Sequence, residues 1–88
     1  MKINRDFTIQ KVGSTYVAVP VGKTSKHFHN MIQLNETAAF IWKTMAERDA
    51  TEEELVDAIL GEYEIDRETA ARDVHRVVTL LAENGILV

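Results

Sequence analysis

The chain lacks cysteine altogether and has one proline and four glycines among its 88 residues. The absence of cysteine excludes disulfide bridges and thiolate metal sites, and it makes the cytoplasm the expected compartment. No apolar run approaches the roughly 18 residues that a membrane-spanning helix needs, and the N-terminus has no apolar signal-peptide core. With 45% hydrophobic residues, the chain is expected to fold as a single domain over residues 1–88, without a membrane partner.

The sequence also lacks the residue patterns that catalysis requires. No phosphate-binding glycine loop is present, and Ser14 and Ser25 have no acid–base partner implied by the sequence. The acids of residues 52–57 follow a predicted helix start, where capping and the helix dipole account for them. We therefore expect no enzymatic activity and no cofactor.

Three histidines are the possible metal ligands. His27 and His29 are two residues apart, which in an extended segment places both imidazoles on one face, and His75 could be a third ligand. No motif sets the spacing between the pair and His75. Solvated loop histidines are the simpler interpretation, so we predict no metal site, although the sequence leaves open whether His27 and His29 bind Zn²⁺.

Short alternating segments predict three strands. The segments 7–12 and 15–19 flank Gly13-Ser14, a pattern typical of a β-hairpin. Residues 30–34, NMIQL, are typical of a third strand, with Ile32 and Leu34 on one face.

Three helix starts follow the predicted strands. Asn35 is a preferred N-cap, Thr51 with Glu54 forms a capping box, and Asp66 caps a third helix. Apolar residues at helical spacing predict the buried faces of the first and third helices. These are Ala38, Ile41, Trp42 and Met45 in the first, and Ala70, Val74, Val77, Val78 and Leu81 in the third. The predicted order is β-β-β-α-α-α, an α+β fold.

Charge is distributed unevenly along the chain, whose net charge is −4. Residues 1–46 carry six Lys/Arg and two Asp/Glu, whereas residues 47–88 carry four Lys/Arg and twelve Asp/Glu. A solvated surface explains such a distribution, and a polar partner of complementary charge is the functional alternative.

Two kinds of binding are compatible with this order of elements. Three helices beside a small sheet are the ingredients of a winged helix-turn-helix, but the predicted third helix has no surplus of basic residues with which to neutralise phosphates. If the third strand lies at a sheet edge, an extended peptide could add to it. Met31, Val77 and Leu80 are the apolar residues that could line a groove there, or they could complete the core.

The segments TYVAVP, LNETAAFIW and TEEELVDAILGEYEID, followed by Asp73-Val74 and Gly85-Ile86-Leu87, together resemble the PqqD-like family of precursor-peptide recognition elements. The resemblance extends from about Phe7 to Leu87. Compared with many members, the loop 21–30 is longer and more basic, which could add contacts to an acidic leader.

The resemblance implies a winged helix-turn-helix-like fold, with a three-stranded antiparallel sheet followed by three helices, and no catalysis. Such proteins act as peptide chaperones that bind the leader of a ribosomally made precursor and present it to a modifying enzyme, often a radical SAM protein or a peptidase. The leader adds beside the third strand and lies against the third helix. The implied peptide-binding residues are Met31, Ile32, Gln33, Leu34, Asp73, Arg76, Val77 and Leu80.

Other functions remain as alternatives. A winged-helix DNA-binding or regulatory domain is the second candidate, and a structural subunit docked permanently on an enzyme is the third. The same edge strand could also pair two copies of the chain into a homodimer. The leading expectation is a non-catalytic, cytoplasmic peptide chaperone that binds no nucleic acid.

Overall fold

The structure, a computed structural model, describes residues 1–22 and 31–88. Three strands precede three helices, as the sequence predicts. The strands are β1 (Phe7–Val12), β2 (Thr15–Pro20) and β3 (Ile32–Leu34), and the helices are α1 (Glu36–Glu47), α2 (Glu52–Glu62) and α3 (Arg67–Glu83). The predicted α+β class, a three-stranded antiparallel sheet followed by three helices, is confirmed.

The first two strands form a tight hairpin. Val12 pairs with Thr15 across a loop of two residues, and Gly13 at the first loop position has φ 63°. Glycine at that position is typical of a type II′ turn, whose twist matches that of the flanking strands. In such a hairpin the closing pair, Val12 with Thr15, is a hydrogen-bonded pair.

The hairpin sets the direction in which each peptide group of the sheet points, because hydrogen-bonded and non-hydrogen-bonded pairs alternate along an antiparallel ladder. The N–H of Val21 donates to the carbonyl of Asp6 at 2.8 Å, which agrees with this alternation at the far end of the hairpin. The peptide groups of Thr15, Val17 and Val19 in β2 therefore point to β1. The intervening residues Tyr16 and Ala18 direct their peptide groups to β3.

Side-chain caps begin all three helices. The Asn35 side chain accepts from the Ala38 N–H at 2.8 Å, and the Asp66 carboxylate accepts from the Thr69 N–H at 2.7 Å. Helix α2 has the complete capping box between Thr51 and Glu54. The predicted caps are thus confirmed, and Asn35 joins β3 directly to α1.

The core lies where the sheet and the helices meet. The predicted buried faces of α1 and α3 are confirmed, since all of their members are at most 8% exposed. Ile32 and Leu34 are buried while Met31 and Gln33 are exposed, as strand alternation predicts. The third strand begins at Ile32, so Met31 lies outside it, contrary to the prediction. Asn30, the first residue of the predicted strand, lies outside the described residues.

The two ends of the chain pair with each other, which the sequence analysis did not predict. Ile3 is 9% exposed and forms an isolated antiparallel bridge with Leu87, and the Asn4 N–H donates to the carbonyl of Ile86 at 2.7 Å. Ile86 is fully buried. The N-terminal segment is therefore part of the domain body and not a tail.

Candidate functional site

Strand β3 lies at an edge of the sheet. The strand order is β1-β2-β3, and β3 pairs with β2 through Ile32 opposite Ala18 and Leu34 opposite Tyr16. Those are the hydrogen-bonded pairs, so the N–H and C=O groups of Gln33 between them point to the outer side of the sheet. Within residues 1–22 and 31–88, no hydrogen bond is formed to the N–H or the C=O of Gln33. A donor and an acceptor are thus presented to a further strand.

A groove of about 390 Å³ runs beside this edge. One wall is the end of β3, the opposite wall is α3, and the ends are formed by the hairpin turn and the first turn of α1. The lining residues are Ser14, Thr15, Gln33, Leu34, Asn35, Glu36, Ala38, Arg76, Val77 and Leu80. We call this the β3 groove.

The helical wall of the β3 groove is apolar at its base and charged at its rim. Val77 is only 2% exposed and belongs to the core, so it supplies a rigid floor. Leu80 is partly buried and packs against the edge of the core. The exposed guanidinium of Arg76 lies 3.9 Å from the Asp73 carboxylate, a separation at which an ion pair is weak. An apolar side chain of a ligand would therefore find its contact on Leu80 and Val77.

The mouth of the groove is held in place by local hydrogen bonds. The Thr15 hydroxyl donates to the carbonyl of Leu34 at 3.2 Å, linking the hairpin to the end of β3. The Asn35 side chain is occupied in capping α1. These bonds fix the junction of β3 with α1, so the groove exists before any ligand arrives, which lowers the entropic cost of binding.

The structure brings together five of the eight residues implied by the family resemblance. Gln33, Leu34, Arg76, Val77 and Leu80 line the β3 groove, whereas Met31, Ile32 and Asp73 do not.

The three residues outside the lining have different surroundings. Met31 is 76% exposed before the strand begins, and Ile32 is buried in the core. Asp73 is one turn from the groove and faces Arg76.

The hairpin turn and the first turn of α1 also contribute to this groove, which the sequence pattern did not predict. The pairing of Tyr16 with Leu34 in the β2–β3 ladder brings the hairpin turn to the start of α1, so Ser14, Thr15 and Glu36 line the same groove. The charged residues of the lining are Glu36 and Arg76, one of each sign. Lys2, Arg5, Lys11 and Lys43, the basic residues that the structure describes in the first half of the chain, do not line this groove.

Three acids of α2, Glu52, Glu54 and Asp57, have structural partners. The Thr51 backbone N–H donates to Glu54 at 2.9 Å, and this bond, with that of the Thr51 side chain, lowers the pKa of Glu54 below its ordinary value. Glu52 lies 3.1 Å from His75 on α3. An exposed capping carboxylate with a lowered pKa is ionised at neutral pH and is a poor general acid. The arrangement joins α2 to α3 and caps α2.

The described part of the chain offers neither a metal-binding cluster nor a membrane-spanning helix. Residues 1–22 and 31–88 contain no group of three His, Cys, Asp or Glu that could hold a metal ion. His27 and His29, the predicted alternative site, lie outside the described residues. None of the helices in the same two ranges is both long and apolar enough to cross a membrane.

The charges of α3 are unsuited to reading DNA. Arg67 lies 2.8 Å from Asp57, Arg72 lies 3.5 Å from Glu68, and Arg76 is the residue near Asp73. Each arginine of this helix thus has an acid as its nearest partner. A recognition helix needs unpaired cations to displace counterions from phosphates, so the DNA-binding alternative is not supported.

Known protein families and solved structures include several that are similar to this chain. The family model for coenzyme PQQ synthesis protein D (PqqD) matches residues 15–87. No curated protein sequence matches significantly. Among solved structures, TbiB1 in complex with the TbiA(β) leader peptide is 29% identical, with a TM-score of 0.73 over 99% of this chain and 94% of that one.

A second solved structure is less similar in sequence but matches over the same share of this chain. Lasso peptide synthetase B1 complexed with the leader peptide is 25% identical, with a TM-score of 0.72 over 99% of this chain and 95% of that one. Both matches cover nearly the whole of the neighbouring chain, and both neighbours are complexes with a leader peptide.

Proposed function

The chain belongs to the PqqD family, and we propose that it is a non-catalytic chaperone that binds the leader of a ribosomally made precursor peptide and presents it to a modifying enzyme. The observation that carries this proposal is the outward-facing peptide group of Gln33 beside an apolar helical wall. Two neighbours that match the whole chain are complexes with a leader peptide, which supports the same function.

The proposed mechanism is strand addition at β3. The leader lies along the outer side of β3 as a fourth strand, and its backbone bonds to the N–H and C=O groups of Gln33. Each such bond contributes about 0.5–1.5 kcal/mol net, but it does not distinguish one sequence from another, because every leader has the same backbone groups. Selectivity then comes from alternate leader side chains, of which one set points into the β3 groove and contacts Leu80 and Val77.

The partners follow from this mechanism. A leader held at the sheet edge keeps the remainder of the precursor accessible, so a modifying enzyme, such as a radical SAM protein, can act on it. We place this exchange in the cytoplasm, where the ribosome releases the precursor. In the absence of leader, the same edge could pair two copies of the chain, and leader binding would then compete with the homodimer.

Isothermal titration of the full chain with leader peptides encoded beside its gene tests the proposal. We expect micromolar or tighter binding of one of them, and a substitution at the outer edge locates the site. Gln33→Pro removes the outward N–H and places the proline ring where the leader strand would lie, but it spares the ladder to β2. We expect this variant to fold and to lose leader binding at least roughly tenfold.

Lys11→Pro is the matched control, since the same alternation turns the N–H of Lys11 to the outer side of β1. It introduces the same ring at the opposite edge and is expected to leave leader affinity unchanged. Equal binding by wild type and Gln33→Pro would contradict strand addition. Failure of every encoded leader to bind would contradict the function itself.

A further inference from the structure

A second and larger groove lies at the opposite edge of the sheet. It has a volume of about 710 Å³ and lies between the N-terminal segment with β1 and the second half of α1. Its lining residues are Lys2, Ile3, Arg5, Phe7, Thr8, Ile9, Trp42, Lys43, Met45, Ala46, Glu47, Arg48 and Asp49. We call it the β1 groove; it shares no lining residue with the β3 groove.

The β1 groove repeats the architecture of the β3 groove, because it too combines an open strand edge with a helical wall. Alternation along the hairpin directs the N–H and C=O groups of Ile9 and Lys11 away from β2. No bond to these four groups is formed within residues 1–22 and 31–88. The edge is shorter than β1 itself, since the N–H of Phe7 already donates to the Asn4 carbonyl at 3.0 Å. The outward-facing peptide groups of Ile9 and Lys11 thus remain for a fourth strand.

The floor of the β1 groove is apolar. Phe7, Trp42 and Met45 are 7%, 3% and 1% exposed and form a rigid surface, and the partly buried Ile9 packs against it. A single apolar side chain laid on this floor would extend the core outward.

The rim of the β1 groove is basic. Arg48 has a partner in Glu54 at 3.3 Å, and Asp49 is paired with the N-terminal ammonium, whose hydrogen bond lowers the pKa of that carboxyl. Lys2, Arg5 and Lys43 form no salt bridge within the described part of the chain.

Two further observations define the charge of this rim. The Lys43 ammonium lies 5.2 Å from the centroid of the Tyr16 ring, a cation–π contact that leaves it exposed. Among the lining acids, only Glu47 opposes the three unbridged cations, because Asp49 is paired. Of the basic residues that the structure describes in the first half of the chain, three of four line the β1 groove and none lines the β3 groove.

We propose that the β1 groove docks an extended, acidic segment of a partner protein by strand addition at β1, while the leader occupies β3. Charge complementarity selects the acidic segment, and the apolar floor with its open strand edge selects a polypeptide. DNA or RNA is a poorer fit, because a polyanion would gain three cations but would face a chain of net charge −4. The identification of the partner as the modifying enzyme rests on the proposed function, whereas the docking of an acidic segment does not.

NMR titration of the full-length, ¹⁵N-labelled chain tests this proposal with defined probes. The first probe is a capped peptide in which glutamate alternates with valine, and the second replaces every glutamate with lysine. We expect the acidic probe to shift the amide signals of Ile9, Lys11 and Lys43, to leave Gln33 unchanged, and to bind more weakly as salt rises. The basic probe is expected to cause no such shifts.

Charge reversal supplies the matched variants. The double variant Lys2→Glu/Lys43→Glu is expected to weaken binding of the acidic probe roughly tenfold, since it replaces two attractions with two repulsions. Arg67→Glu/Arg72→Glu changes the net charge equally on exposed sites of α3 and is expected to leave binding within about twofold. Lys11→Pro is expected to abolish it, whereas Gln33→Pro is not.

Several results would overturn the proposal. They are an absence of shifts at β1 with the acidic probe, shifts confined to β3, equal losses in the two charge-reversed variants, and preferential binding of a DNA duplex at the same amides. Shifts at β1 that depend only on protein concentration would assign the groove to a second copy of the chain. None of these outcomes alters the leader titration, so the two proposals fail independently.

Discussion

Two adjacent leucines near the end of α3 have different environments. Leu81 is fully buried and belongs to the core, whereas Leu80 is partly buried and lines the β3 groove. Consecutive helical residues differ by about 100° in direction, so one faces the body of the domain and the other faces the sheet edge. Within one turn of the helix, Leu81 therefore contributes mainly to stability and Leu80 mainly to binding.

Alanine substitutions at these two leucines test that separation. Leu81→Ala is expected to lower the free energy of unfolding by about 2–5 kcal/mol, because it leaves a cavity in the core. Leu80→Ala is expected to lower it by only about 1 kcal/mol and to weaken leader binding roughly tenfold. Urea unfolding and isothermal titration measure the two effects. A larger stability loss for Leu80→Ala than for Leu81→Ala would contradict the assignment of Leu80 to the groove.

At the scale of elements, the direct passage from β3 into α1 is the feature that shapes the site. Asn35 ends the strand and caps the helix, so no loop separates the edge from the helix start. The neighbouring Leu34 carbonyl is held by the Thr15 hydroxyl. A junction of this kind leaves β3 little freedom to move relative to α1, which keeps the groove open and its edge straight.

Replacement of Asn35 tests the contribution of that cap. Asn35→Ala is expected to cost about 1 kcal/mol of unfolding free energy, because the Ala38 N–H loses its acceptor. Asn35→Asp keeps an acceptor beside the positive helix end and is expected to be close to wild type. The hydrogen-exchange rate of the Ala38 amide measures directly whether the cap protects this N–H. Equal exchange rates in wild type and Asn35→Ala would show that the cap contributes nothing.

Edge strands are also the elements through which sheets aggregate, and this domain has two of them. Strand β3 has only three residues, and β1 carries the exposed Lys11 at one of its two open backbone positions. A short, charged edge discourages pairing with an identical strand but accepts a chosen partner of opposite charge. The homodimer through β3 and the docking at β1 are therefore separate proposals with separate tests, although the same backbone chemistry underlies both.

For the whole molecule, acidic caps make the fold sensitive to low pH. Backbone hydrogen bonds from Thr51 and Thr69 lower the pKa values of Glu54 and Asp66 below their ordinary values of 4.5 and 3.8. A lowered folded-state pKa contributes stability that is fully present above the unfolded value and is lost as the pH falls through the folded value.

Stability is therefore expected to be constant above about pH 5 and to fall progressively below the ordinary pKa values of these caps. Urea unfolding between pH 7 and pH 2.5 measures this dependence. The double variant Glu54→Gln/Asp66→Asn keeps acceptor oxygens at both caps but removes their titration, so its stability is expected to fall less steeply. Identical slopes for the variant and wild type would assign the acid sensitivity to other carboxylates.

The sequence by itself determined the elements of this protein. Helix starts depend on capping residues within four positions of each other, and buried faces depend on local periodicity, so Asn35, Thr51 and Asp66 and the apolar faces of α1 and α3 were all predictable. The family and its fold were also recognisable, because the order and spacing of short motifs are properties of the chain.

Only the tertiary structure decided which side of each strand is open and what lies beside it. The outward direction of the Gln33 peptide group depends on the register of two ladders that begin at a hairpin. The placement of Ser14 and Arg76 in one groove, and the pairing of Ile3 with Leu87, bring together residues far apart in the chain. Local preferences carry no information about such contacts, because they form only when the packing of the whole domain brings the elements together.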